Sequence, residues 1–454
     1  MPGGAAKFSP GSIGFLRSYP LDANVIPDHL RPLPTIAGDL VVAFGESAFN
    51  AFDRGRSNEA IWQCKVFDDN ISRSGTPVWF GPFLYYVGTE LTRLNQISLS
   101  SGIRKVCALV GEDGNKIFEL PGKPIEACSP LLLRFPIGAS PFATRTAPEA
   151  MTHIPVLVVF TTRGLSFVDL STAPDRGQDD PQCLPTFRYW FWELPLAQDI
   201  TQPVFAERYS HNDDGTGHLN FRYLFATGSR PPRLMVFDMG CFPNIEAMQC
   251  IVVDDTYSRF HEEFKKLKGT RFSPCVVAPK GRENDTLVYW LAESVIKETL
   301  GEIKAIRFIP PGNLRVSSLP TTNSRGQTWI FDKYLVPQLS DGIGIIAGRA
   351  AGTSFILKDV GPDAGLTGNR SEAQCEVQLD VSVKLSSVSV VPGGTVLVGG
   401  YEGLNALALF GGEANTVASP PKDDPIAPPI VGQWGAVLQT SKQLRLFYSR
   451  GFPV

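Results

Sequence analysis

The chain has 454 residues, 42 Lys and Arg against 45 Asp and Glu, and a formal charge of -3. Charged residues make up only 19%, while 29 Phe, 11 Tyr and 7 Trp are spread among 43 Gly and 37 Pro. A near-neutral balance excludes a chain that wraps nucleic acid through its phosphates, and the aromatic content excludes wholesale disorder.

Residues 1–38 are rich in Gly and Pro, and Pro27, Pro32 and Pro34 interrupt any helix or central strand. They are expected to form an N-terminal arm packed outside a domain spanning 39–454. The first eight residues lack a continuous apolar run, and no apolar span reaches the length of a membrane helix. Without either signal, the expected location is the cytoplasm or nucleus, with no membrane span.

From residue 40 onward, short apolar runs alternate with Gly, Pro, Asn and Ser turns. The runs 40–44, 78–87, 105–110 and 116–120 read as strands, and Glu112-Asp113-Gly114-Asn115 between the last two reads as a hairpin turn. Paired runs recur at 154–170, 221–238, 342–357, 387–398 and 435–448. Their spacing resembles the inner and middle strands of propeller blades. With the less regular regions 40–100 and 285–332, the pairs give seven units. The expected fold is therefore all-β: a single seven-bladed β-propeller with irregular blades, closed by the strands at 432–448. The blades carry no WD or kelch signature, and a pair of sandwiches would produce similar alternation.

One helical insertion is expected at 257–267, where Phe260, Phe264 and Leu267 share a side and Gly269 supplies a stop. The basic run Lys265-Lys266-Leu267-Lys268 follows Glu262 and Glu263 and reads as a solvated helix face rather than a nucleic-acid patch.

The densest polar stretch, 208–218, contains His211, Asp213, Asp214 and His218. Imidazoles and carboxylates together can move protons, so these four are the catalytic candidates if the protein is an enzyme. Read structurally, the same stretch is an exposed turn. The five histidines are scattered at 29, 153, 211, 218 and 261, and His261-Glu262-Glu263 lacks the second histidine of a zinc helix, so no metal site is expected. The eight cysteines form no close pair and read as small buried side chains in a reducing compartment. No nucleophile elbow occurs, and 342–348 lacks the Lys-Ser/Thr ending of a phosphate loop, so no cofactor is expected.

The run 187–193 places Phe187, Tyr189 and Phe191 on one strand face and Arg188, Trp190 and Trp192 on the other. Arg and Trp dominate contact hot spots. Arg188, Trp190, Trp192, Phe260 and Phe264 are accordingly the expected ligand- or partner-binding residues, and packing between blades is the competing role for the tryptophans. The sequence points to a non-catalytic protein-interaction or scaffold module with a protein partner. The alternative is an enzyme or small-molecule binding protein with its site at the mouth of the propeller channel.

Overall fold

The computed structural model describes residues 10–21, 30–45, 47–56, 59–66, 71–137, 152–172, 184–198, 200–211, 217–229, 232–254, 267–268, 275–277, 286–294, 301–308, 315–318, 338–340, 343–350, 353–358, 376–379, 388–391, 395–408 and 414–449. Among them the chain is almost entirely β, with a few single-turn 3-10 segments and no α-helix. No described helix is long and apolar enough to cross a membrane.

The strands form eight sheets, mostly in chain order. Sheet 1 runs Thr35–Ala37, Leu40–Gly45, Ala48–Asp53, Trp62–Lys65, and sheet 2 runs Val78–Phe80, Phe83–Val87, Leu94–Ser98, Arg104–Val106. Sheet 3 runs Leu131–Ile137, Thr152–Thr161, Gly164–Asp169, Thr186–Glu193, and its far edge is widened by Ala108–Val110 and Lys116–Ile117. Sheet 4 runs Val204–His211, Gly217–Ser229, Pro232–Asp238, Gln249–Asp254. In sheet 5, Leu267–Lys268 and Cys275–Val277 share one side of Thr286–Ser294, followed by Gly301–Phe308 and Arg315–Ser318. Sheet 6 runs Gln338–Ser340, Ile343–Ala350, Thr353–Lys358, Glu376–Leu379, and sheet 7 runs Val388–Val391, Thr395–Gly399, Gly403–Ala408, Ala414–Ala418. Sheet 8 joins the two ends of the chain: Ile430–Val431, Gly435–Gln439, Gln443–Ser449, then the N-terminal Ile13–Pro20.

Successive sheets pack face to face because both faces of their middle strands are apolar. Along a strand, alternate side chains point to opposite faces. In sheet 8, Ala436, Leu438 and Phe447 meet Leu397, Leu404 and Ala406 of sheet 7, while Val437, Leu444 and Leu446 meet Val41, Ala43 and Phe52 of sheet 1. Phe49 and Ala51 of sheet 1 pack with Leu84, Tyr86 and Ile97 of sheet 2. Tyr85 and Val87 of sheet 2 meet Leu157, Val159 and Phe187 of sheet 3, and Phe160 and Phe167 of sheet 3 meet Leu224, Met235 and Phe237 of sheet 4. The strands Val204–His211, Cys275–Val277, Gln338–Ser340, Val388–Val391 and Ile430–Val431 then approach one another in succession, and Ile430–Val431 also approaches Thr35–Ala37. This serial stacking of antiparallel sheets is propeller-like.

The sequence reading is refined at four places. Among the described residues the strands fall into eight sheets, and 40–100, read as one unit, folds as sheets 1 and 2 on either side of Gly75-Thr76-Pro77. Residues before 39 contribute strands: Ile13–Pro20 pairs with Gln443–Ser449, and Thr35–Ala37 pairs with Leu40–Gly45. The run 105–110 changes sheets at Cys107, whose N–H donates to Leu94 O in sheet 2, while Ala108 N donates to Pro185 O beside sheet 3. The run 78–87 is two strands, broken where Gly81 turns with φ +59°. The hairpin at 112–115 forms as expected, with Val110 opposite Lys116 and Gly114 at φ +77°. Of the expected helix at 257–267, residues 257–266 lie outside the described residues, and Leu267 opens the strand Leu267–Lys268.

Candidate functional site

In a four-stranded antiparallel sheet the first-to-second and third-to-fourth connections share one end, and the second-to-third connection lies at the other. In sheets 8, 1 and 2 the shared ends lie side by side. Trp62, at the third-to-fourth connection of sheet 1, donates through Nε1 to Leu99 O in the corresponding connection of sheet 2 (2.7 Å). Trp434, in the first turn of sheet 8, donates through Nε1 to Gly38 O in the first turn of sheet 1 (3.0 Å). These bonds tie three sheets into one rim.

Two features occupy that rim. The first is an apolar corner where sheets 1 and 2 meet. Ile61, Trp79 and Ile103 are exposed by 44%, 42% and 46%, unusually high for large apolar side chains. At the same end of sheet 2, Leu99 N donates to Pro82 O (3.0 Å), and each of the three residues makes a local hydrogen bond. Trp79 Nε1 donates to Gly81 O (2.7 Å), Ile103 O accepts from Ser98 N (3.0 Å), and Ile61 N donates to Ala51 O (2.8 Å). Trp62 packs under Gly102, where a Cβ would lie 2.9 Å from the indole, so only glycine fits against that ring.

The second feature is a cleft of about 150 Å³ between sheets 8 and 1, lined by Leu16, Asp39, Asp53, Arg54, Trp434 and Tyr448 among others. The Trp434 ring is buried, and the Arg54 guanidinium lies 5.7 Å from its centroid. Arg54 Nε also bonds Asp39 Oδ1 at 2.7 Å. Asp53 accepts the Gly55 N–H (2.8 Å) and pairs with Arg56 (3.4 Å), and Arg17 donates to Arg56 O.

The residues nominated from the sequence sit elsewhere. Trp190 and Trp192 do share a face, but that face is the seam between sheets 3 and 4: both are buried, with Phe242 5.3 Å from Trp190 and Phe237 6.1 Å from Trp192. Trp190 Nε1 donates to Glu112 Oε1 (2.9 Å), and the exposed Arg188 caps the ring from 4.8 Å. The tryptophans therefore pack sheet on sheet and offer no open contact surface. That face is covered by sheet 4, the inter-sheet packing that competes with a partner-binding role for the two tryptophans.

His211 and His218 are at the ends of the first two strands of sheet 4, where Ser210 pairs with His218 and His211 with Gly217. Asp213 and Asp214, between them, lie outside the described residues, as do Phe260 and Phe264. Cys64, Cys107 and Cys128 are free and buried, and burial pushes each thiol up. These sulfurs behave as core side chains rather than nucleophiles.

Trp79 and Trp434 are not marked by the sequence because each sits in a short run beside a turn. Val78-Trp79-Phe80 looked like the start of a longer strand, and the Gly81-Pro82 break was the available signal for an exposed position. Nothing local in the sequence links Arg54 to Trp434; the packing of sheet 8 against sheet 1 does so.

No protein-family model matches this chain, and no curated protein matches it. Among solved structures it is similar to the computationally designed Ika8 protein, at 11% identity and a TM-score of 0.47, over 95% of this chain and 99% of that one. It is also similar to Hsv2 of Kluyveromyces lactis, at 10% identity and a TM-score of 0.38, over 88% of this chain and 98% of that one. A second Hsv2 structure gives 10% identity and 0.37, over 86% and 93%.

Proposed function

We propose that this protein is a non-catalytic protein-interaction module, built as one closed ring of eight blades, that docks its partner on the rim formed by sheets 8, 1 and 2. Ring closure is supported by sheet 8, which lies between sheets 7 and 1 and is itself completed by the N-terminal strand. Eight blades replace the seven expected from the sequence, since sheets 1 and 2 each have four strands of their own.

The observation that carries the interaction reading is the apolar corner. Ile61, Trp79 and Ile103 are each exposed on two adjoining sheets, Ile61 and Ile103 in third-to-fourth connections and Trp79 in the strand Val78–Phe80, and covering such side chains is the usual source of binding energy at a protein interface. A reducing, cytoplasmic or nuclear setting fits the free thiols of Cys64, Cys107, Cys128 and Cys241.

The test compares photo-cross-linking from two exposed aromatic positions. Tyr401, 41% exposed, lies in the second-to-third turn of sheet 7 and hence at the opposite end of its sheet from the docking rim. A photoreactive phenylalanine at Trp79 should capture a discrete protein in cell extract, and Ile103→Ser should abolish that capture without lowering the melting temperature. The same group at Tyr401 should not capture it. Capture from Tyr401 alone, or capture from Trp79 that is insensitive to Ile103→Ser, would refute the assignment.

A further inference from the structure

The end of the sheets away from the docking rim holds an arginine without a counter-charge, and we infer that Arg73 is the binding site for one small oxyanion, a carboxylate or a phosphate group. This site stands apart from the interaction reading, because it belongs to the opposite end of the molecule.

Each sheet is entered by a connection that runs from the fourth strand of the sheet before it. The connection ahead of sheet 3 lies beside the second-to-third turn of that sheet, since Thr162 N donates to Lys123 O (2.8 Å). Two residues ahead of each first strand, these connections are tied to one another. Leu33 N, at the entry to sheet 1, donates to Thr76 Oγ1 at the entry to sheet 2 (3.0 Å). Ser129 Oγ, at the entry to sheet 3, donates to the same Thr76 Oγ1 (3.2 Å), and Gln202 Nε2, at the entry to sheet 4, donates to Ser129 O (3.1 Å). Ser74 N adds a bond to Glu126 O (3.2 Å). Arg73 therefore sits on a connection fastened to its neighbours, three residues ahead of the hydroxyl at which two of them meet.

The buried arginines Arg31, Arg222 and Arg445 each have an acceptor within the protein. Arg222 pairs with Glu207 (3.2 Å), Arg31 donates to Ser441 O (3.3 Å), and Arg445 donates to Tyr401 O (3.4 Å) and Pro421 O. Arg73 has none among the described residues, and its Nε is sealed from water. Glu126, on the adjoining connection, is exposed and forms no ion pair with it. Burial pushes the guanidinium below its ordinary value, opposed by the buried Cys128 thiol. A guanidinium nevertheless keeps its proton in a protein, so its burial without a partner is a cost that an incoming anion removes. Arg73 as a whole retains partial exposure, which leaves a route for a small ion. The planar fork of an arginine matches two oxygens of one carboxylate or phosphate group.

The probes are radiolabelled inorganic phosphate and radiolabelled acetate, each equilibrated by dialysis with the full chain at constant ionic strength in chloride. At least one should bind saturably at one ion per chain, and which of the two does so separates a phosphate ligand from a carboxylate. Arg73→Met should weaken that binding about tenfold or more. Arg163→Gln, at the same end of the sheets but already paired with Glu193, should leave it unchanged. In chloride alone the melting temperature of Arg73→Met should be no lower than that of the original chain, because the substitution removes an unpaired charge and keeps an apolar stem. Failure of both ions to saturate, undiminished binding in Arg73→Met, or a lower melting temperature of that variant in chloride would overturn the inference.

Discussion

Tyr19 is the residue through which the N-terminal strand is fastened to two sheets at once, so its truncation measures whether that strand belongs to the folded core. The side chain is 0% exposed. Its ring stacks on Phe52 of sheet 1 at 4.4 Å and 23°, and its hydroxyl donates to Asp53 O at 2.9 Å. Two contributions can be separated. Removing a fully buried aromatic ring costs about 3–5 kcal/mol, whereas removing only the hydroxyl costs about 0.5–1.5 kcal/mol. Since folded domains are stable by about 5–15 kcal/mol, Tyr19→Ala should consume a large share of the total and Tyr19→Phe a small one. Urea unfolding followed by tryptophan fluorescence and far-ultraviolet circular dichroism gives both values when the two probes coincide. If Tyr19→Ala is no more destabilising than Tyr19→Phe, the strand is not integral to the core and the joining of chain ends in sheet 8 is wrong.

Two further predictions follow from single positions. Gly164 has φ +152°, and a Cβ there would lie 2.0 Å from Trp192 O, so Gly164→Ala should cost about 2–5 kcal/mol by denaturant unfolding. Gly114→Ala, with open space at φ +77°, should cost only about 1 kcal/mol, and equal losses would contradict the close strand approach. Burial raises the carboxyl of Asp238 above its ordinary value, partly offset by the Gly240 N–H it accepts. The folded state therefore binds that proton more tightly than the unfolded chain does, and stability is lost as pH rises from the ordinary carboxylate range through the raised value. Asp238→Asn keeps an acceptor for Gly240 and should raise the melting temperature at neutral pH while flattening its profile above the ordinary carboxylate range; a lower melting temperature at neutral pH would refute this.

What the sequence made legible follows from which strands are covered on both faces. The paired runs at 154–170, 221–238, 342–357 and 435–448 are the second and third strands of their sheets, and 387–398 the first and second. Middle strands lie between two neighbouring strands and, in the described seams, beneath sheets on both faces, so they read as continuous apolar runs such as Val156 to Phe160. Outer and inner strands leave weaker traces: Thr35–Ala37, Val78–Phe80 and Ile430–Val431 are three residues or fewer. That is why sheets 1 and 2 merged into one unit. Ile13–Pro20 was hidden differently, because its partner Gln443–Ser449 is more than four hundred residues away and nothing local signals the pairing. The alternation in 187–193 was read correctly as two faces, but periodicity does not say what covers each face, and a neighbouring sheet covers Trp190 and Trp192. The corner at Ile61, Trp79 and Ile103 comes from three separate segments, and the cleft at Arg54 and Trp434 joins residues from opposite ends of the sequence.

The most direct test of the central claim is a crystal structure of the full chain, since docking rim and cleft both depend on how the sheets are arranged. Eight four-stranded units around one axis are expected, with Ile13–Pro20 hydrogen-bonded to Gln443–Ser449 and that sheet seated between sheets 7 and 1. Seven units, two separate sandwiches, or an N-terminal strand lying away from Gln443–Ser449 would contradict the account.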